Sequence, residues 1–225
     1  LRSRSLPSSI WQLIWRPGYF IGEFISDHKQ INHPPANMLF TVAVLYLIIL
    51  QLFDIEIATT ISGKTYMHVL EWITGWLTDH PAWNMMCFTL FMILPTWSLF
   101  RFAPLHNHHT IPESIFIQLF MSTLMLICSL FAKISPLFLI LVPFYYIVTY
   151  RQLFGYGFWG TLWRLTISSV VWFNIILFFC CLIIAFDEPT EYPLHALIII
   201  SLFVLLISLI ILFVGYIISK RTSKK

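Results

Sequence analysis

Charge is what this chain has least of. Asp, Glu, Lys and Arg make up 10% of its 225 residues, where about 25% is usual for a soluble protein. A globule this poor in charge cannot keep itself dissolved, so a free cytosolic enzyme is excluded. The formal net charge is only +3, too little to hold a polyanion, and no nucleic-acid partner is expected. Cysteine is scarce as well: Cys87, Cys128, Cys180 and Cys181 form no C-x-x-C pair and do not make a secreted disulfide scaffold. The motifs of self-contained chemistry are missing too. There is no G-x-S-x-G elbow, no H-E-x-x-H helix and no pair of carboxylates inside an apolar run. No histidine stands mid-run where haem would need axial ligands, and no cofactor is expected.

What the chain has instead is apolar surface. Hydrophobic residues are 59% of it and the mean hydropathy is +0.83, so its solvent is lipid. A bilayer core about 30 Å thick takes about 20 apolar residues per helix. Six stretches meet this: Ala36–Phe53, Ala82–Phe100, Pro112–Ala132, Ile134–Phe154, Thr161–Phe186 and Leu194–Ser219. The third and fourth form a tight hairpin, since Lys133, Ser135 and Pro136 interrupt the run. The fold class expected is all-α, a polytopic transmembrane helical bundle of six spans with interfacial amphipathic helices. The four cysteines fall inside these spans as small apolar residues.

Lysine and arginine then set the orientation. Eleven of them, from Arg2 and Arg4 through Arg101, Arg151 and Arg164 to the tail, lie on one side, against Lys64 and Lys133 on the other. Both termini are therefore expected to be cytoplasmic. Residues 1–35 are read as a cytoplasmic-face interfacial segment, 36–219 as the six-helix domain and 220–225 as a basic tail. No cleavable signal peptide is expected, because Arg16-Pro17-Gly18 interrupts the first apolar stretch.

Within residues 8–26, Ile10, Trp11, Ile14 and Trp15 recur at helical spacing before Arg16-Pro17-Gly18, and Tyr19, Phe20, Ile21, Phe24 and Ile25 follow. Two short helices with a bend at Arg16–Gly18 are predicted, lying on the membrane surface with Trp11, Trp15 and Arg16 at the interface. Met67, Leu70, Ile73 and Leu77, with Trp72 and Trp76 beside them, predict a second surface helix over residues 65–78 on the outer face. Pro95 and Pro143 fall within spans and are expected to kink them. Amides inside spans more often bridge helices than bind substrate, so Asn84, Gln118 and Asn174 are read as packing residues. Arg164, one turn inside its span, is expected to snorkel to the interface.

The one metal-like constellation is His106, His108, His109 and Glu113, in the cytoplasmic loop before the third span. Imidazoles beside a carboxylate are a transition-metal donor set, although this spacing matches no established zinc pattern. The other reading is a polar, pH-sensitive loop.

Several of these stretches occur together in one known family. Arg16-Pro17-Gly18, Ile21-Gly22-Glu23-Phe24-Ile25, Lys29 and Pro34-Pro35 lead into the first span; Pro112-Glu113 through Gln118 open the third; Tyr150-Arg151-Gln152-Leu153-Phe154-Gly155-Tyr156, with Trp159, Thr161-Leu162 and Arg164, lead into the fifth. Over residues 8–186 the chain resembles a bacterial membrane family catalogued as domain of unknown function 3667. No cysteine precedes the Arg-Pro-Gly turn here, where that family often carries a zinc-ribbon-like head, and Ser114 stands where it commonly has histidine. The resemblance implies a polytopic protein of the bacterial cytoplasmic (inner) membrane and brings no reaction with it. Three functions are then open. The first is a non-enzymatic scaffold, assembly or envelope-associated factor, with membrane lipid and either protein partners or a second copy around it. The second is a small channel or transporter subunit. The third is a membrane enzyme or metal-binding protein using the His cluster.

Overall fold

A computed structural model describes residues 5–26, 34–52, 90–106, 108–134, 136–187 and 194–222, and among them every regular element is helical. In chain order these are α1 (Leu6–Trp15), α2 (Pro17–Ser26), α3 (Pro35–Leu52), α4 (Ile93–Phe100), α5 (Ile111–Ile134), a 3₁₀ turn at Pro136–Ile140, α6 (Leu141–Phe154), α7 (Phe158–Asp187) and α8 (Leu194–Thr222). Three of them, over Pro35–Leu52, Ile111–Phe131 and Ile198–Thr222, are long and apolar enough to cross a membrane. Of the other expected spans, residues 82–89 of the second lie outside the described residues. The fourth is divided between the 3₁₀ turn and α6, whose 14 residues reach only about 21 Å at 1.5 Å per residue. The expected surface helix at 65–78, with Trp72 and Trp76, and Asn84 also lie outside the described residues.

The two prolines act differently from one another. Pro143 is the third residue of α6, in the first turn, where its missing N–H costs no intrahelical hydrogen bond. Pro95 does break its helix: Leu90 and Phe91 are helical, Met92 is a turn, and α4 starts again at Ile93.

Along α8, bulky apolar side chains face outward and small polar ones inward, as a lipid environment favours. On α8, Phe203 and Phe213 are exposed, while Ser201, Ser208 and Ser219 are buried. Ser201 and Ser208 donate to the carbonyls of Ile198 and Val204 on their own helix, at 2.8 and 2.9 Å, so no hydroxyl is left wanting. Gly215 completes this small face: a Cβ there would stand 2.5 Å from Leu99 Cδ2 on α4. Against α5, α3 packs Leu39, Val42, Tyr46 and Leu50 around Leu126.

The N-terminal segment departs most from the sequence reading. The two short helices meet at Arg16, and α1 does expose Trp11 and Trp15, stacked at 6.2 Å. Arg16 sits 5.3 Å over the Tyr19 ring. But α2 also packs into the bundle. Phe20, Ile21 and Phe24 belong to the central core, with edge-to-face contacts from Phe20 and Phe24 to Phe120 at 5.4 and 5.3 Å. Two glycines permit this. At Gly18 a Cβ would collide with Gln152 Cβ and the Thr149 carbonyl on α6, and at Gly22 one would lie 2.9 Å from His106 Nε2. The boundary expected at residue 35 therefore does not divide the packing, because α2 shares one core with α4, α5 and α6.

Candidate functional site

The polar residues of the bundle gather at one end, where α4 and α6 finish and α5 and α7 begin. α5 is started by a capping box: Glu113 Oε2 accepts from the Thr110 N–H at 2.7 Å, and Thr110 Oγ1 accepts from the Glu113 N–H at 3.4 Å. The spacing Thr110-x-x-Glu113 carries this signal in the sequence.

The loop before the cap is folded tightly under the bundle. The Leu105 N–H donates to the Phe154 carbonyl at 3.1 Å, and the His108 N–H donates to the Arg101 carbonyl at 2.8 Å. His106 and His108 adopt left-handed backbone, φ 52° and 60°, a conformation that asparagine, aspartate and histidine tolerate better than most residues. Gly155, at φ 73°, closes α6 with its N–H on the Arg151 carbonyl.

This loop sends its three histidines in different directions. His106 is half-buried against Gly22 of α2, and His108 is exposed with its ring edge-on to Phe102 at 5.9 Å. His109 is 4% exposed and packs on Phe154 at 5.2 Å. Among the described residues no three His, Cys, Asp or Glu side chains converge on a point that could hold a metal ion. The donor set His106, His108, His109 and Glu113 is adjacent in sequence and is not gathered in space, because one member is turned into the core and another caps α5.

Burial pushes the His109 imidazole down to about 4; the Glu113 carboxylate opposes this and the Arg101 guanidinium adds to it. Burial lowers His106 in the same direction, again opposed by Glu113. The sign follows from linkage: below the ordinary value of about 6.5 the unfolded chain takes up protons that the folded chain refuses. Stability is therefore held above pH ~6.5 and is lost as the pH falls toward 4. For His109 the loss reaches about 3 kcal/mol at the lower end. Chemical denaturation at stepped pH should show this slope, and His109→Leu should flatten it. An unchanged slope in that variant would remove His109 as its origin.

Deeper in, Gln118 of α5 is 1% exposed. Its Nε2 donates to Thr96 Oγ1 of α4 at 2.8 Å and to Tyr150 Oη of α6 at 2.7 Å, and those two oxygens are themselves 2.8 Å apart. The expected helix-bridging amide is thus at the centre of a three-helix polar triangle. Asn174 is half-buried on α7.

Arg164 does not snorkel. It is 2% exposed and turns inward, with Nε on the Leu99 carbonyl at 3.2 Å, Nη1 on the Gly160 carbonyl at 2.7 Å and Nη2 on Thr222 Oγ1 at 3.1 Å. Ser219 Oγ donates to the same Leu99 carbonyl at 2.7 Å. The guanidinium lies between the rings of Tyr156 and Trp163, 3.7 and 4.3 Å from their centroids. A cation at the C-terminal carbonyls of α4 also meets the negative end of that helix. No ion pair is formed by Arg164 among the described residues; oxygens of the main chain and of Thr222 receive the charge. Nothing in the sequence near position 164 names Leu99 or Thr222 as its partners.

Among the described residues the architecture is an all-helical bundle with three helices long and apolar enough to cross a membrane. Comparison with protein-family models, curated proteins and solved structures finds no match.

Proposed function

We propose that this chain is a multi-pass protein of a bacterial cytoplasmic membrane, with six spans and both termini cytoplasmic, acting as a non-enzymatic scaffold or assembly factor. One observation carries the reading. Four polar side chains at the gathered end hold the fold together: Arg164 ties α4, α7 and α8, Gln118 ties α4, α5 and α6, Gln152 Oε1 accepts the Gly18 N–H at 3.1 Å, and Glu113 caps α5. Groups committed in this way hold the protein's own shape, as a platform requires. Exposed Arg16, Arg151, Lys220 and Arg221 surround this end, which suits the anionic inner leaflet. The likeness of the Arg16-Pro17-Gly18 and Tyr150–Tyr156 stretches to the membrane family described above supports the same placement.

Two experiments test it. Reporter fusions after Lys64 and Glu188 should report outside, and fusions after His106, Tyr156 and Lys225 inside; a C-terminal reporter found outside overturns the topology. Mild extraction from native membranes, with cross-linking and mass spectrometry, should recover a stoichiometric protein partner. A chain that purifies alone and drives a voltage- or substrate-dependent flux in proteoliposomes would overturn the scaffold reading.

A further inference from the structure

Four arginines at the gathered end each lie against an aromatic ring. Arg16 is 5.3 Å from the Tyr19 centroid, Arg101 is 5.0 Å from Trp97, Arg151 is 5.9 Å from Phe158 and Arg164 is 3.7 Å from Tyr156. The first three stand on different elements at one level of the bundle. Gln152, next to Arg151, accepts the N–H of Gly18, which follows Arg16 closely on α2. The His108 N–H donates to the Arg101 carbonyl and the Leu105 N–H to the Phe154 carbonyl, so the end of α4 is held beside the end of α6.

The four differ in what their N–H groups do. Arg164 directs them inward, to Leu99, Gly160 and Thr222. Arg16 and Arg151 are exposed and Arg101 is half-buried, and among the described residues none of these three guanidiniums has a hydrogen-bond acceptor or a carboxylate partner. Stacking on a ring covers one face of the planar group and leaves its N–H edge open, the edge that takes two oxygens of a phosphate. Tyr19 and Phe158 are themselves exposed. Each of those pairs therefore presents a cation and an apolar ring side by side, the combination that suits the boundary between headgroups and acyl chains.

We propose that the Arg16–Tyr19, Arg101–Trp97 and Arg151–Phe158 pairs dock anionic phospholipids of the cytoplasmic leaflet, each guanidinium holding a phosphate and each ring lying toward the acyl chains. This rests on the membrane placement proposed above and gives it a chemical partner. Charge selects the occupant. With Lys220 and Arg221 the three arginines make this end basic, and among the described residues Glu23 is the one exposed acid there. A zwitterionic lipid brings an ammonium along with its phosphate, which a basic rim repels. Position selects a lipid over an acidic protein segment. Such a segment would meet the cations and leave the exposed rings in water, whereas three pairs at one level match the plane of a membrane surface.

Native mass spectrometry of the full chain in mild detergent, titrated with phosphatidylglycerol and separately with phosphatidylethanolamine, is the test. The wild-type chain should retain phosphatidylglycerol with a Kd about tenfold below that for phosphatidylethanolamine. Arg16→Gln, Arg101→Gln and Arg151→Gln should each remove one retained phosphatidylglycerol, a loss of about tenfold at that site. Lys at each position keeps the charge and gives up the two-point fork, so it should recover binding only in part. Lys220→Gln combined with Arg221→Gln lowers the charge of the same end without touching a pair, and it should leave the count unchanged. Thermal unfolding of every variant is compared with wild type, and the Lys series carries the result at any position where Gln unfolds the chain. Equal affinity for the two lipids, an unchanged count in the arginine variants, or an equal loss in the Lys220 and Arg221 variant would overturn the assignment. An acidic segment of another protein cross-linked at these arginines in native membranes would do the same. The reporter fusions are read without added lipid, so they separate a failure here from an error in topology.

Discussion

Gly18→Val is expected to release α2 from the bundle while α7 and α8 stay folded. The added Cβ would fall on the Thr149 carbonyl oxygen and Gln152 Cβ, with the Leu153 nitrogen 2.8 Å away. Two of these three are main-chain atoms of α6, which cannot move aside as the end of a flexible side chain could. Overpacking of this kind costs about 1–3 kcal/mol, and the rigid neighbours put Gly18 at the top of that range. The Gly18 N–H also loses its bond to Gln152 Oε1. Hydrogen exchange should show it directly, with α2 amides losing protection by roughly a hundredfold, the equivalent of about 3 kcal/mol. Gly157→Val is the matched control, because a Cβ there meets nothing within 4 Å and protection should not change. Unaltered α2 protection in Gly18→Val would mean that α2 is not seated on α6, and that the surface-anchor reading of residues 8–26 was the better one.

Arg164→Met should destabilise the bundle by about 3 kcal/mol, the net of opposing effects. Three hydrogen bonds to a charged group are removed, each worth about 1.5–3 kcal/mol, together with stacking on Tyr156 and Trp163. Against this, a buried charge no longer has to be desolvated, and the Leu99 carbonyl keeps its bond from Ser219. In thermal unfolding this amounts to a fall of roughly 6–12 °C in Tm for a chain of this size. Arg164→Lys should recover less than half of the loss. An ammonium keeps the charge but cannot reach Leu99, Gly160 and Thr222 together, as the planar guanidinium does. If Lys restored wild-type stability, the charge and not the three-way geometry would be what matters. If Met were neutral, the clamp would contribute nothing.

The parts of this architecture that could be read from residue order are those governed by local pattern. α3, α5, α7 and α8 fall within a few residues of the apolar runs that foretell them, and α1 and α2 meet at the Arg16 expected to bend. Gln118 was legible as a helix-bridging amide, since a buried amide in an apolar run has to find a partner. Its partners were not legible: Thr96 and Tyr150 lie 22 and 32 residues away, and no local signal joins them. Arg164 was misread for the same reason. One turn inside a span, an arginine can turn out to the interface or inward, and the choice depends on Leu99 and Thr222, 65 and 58 residues distant. The histidine loop shows the converse: closeness in sequence left a joint site and a pH-sensitive loop both open, and left-handed turns at His106 and His108 with the burial of His109 keep the three rings apart.

The sequence by itself determined that this chain suits lipid, in long apolar runs with its few charges concentrated between them. That follows because 59% hydrophobic residues leave no way to meet water, and in lipid each helix satisfies its own main chain. Tertiary structure alone decided which apolar faces meet protein and which stay exposed. An amphipathic segment such as α2 has the same pattern whether its phenylalanines enter a bilayer or the groove between α5 and α6, since both surroundings are apolar. What separates the two is shape: Gly18 and Gly22 let the main chain approach α6 and His106, and close approach is a property of two surfaces that no single stretch of sequence contains.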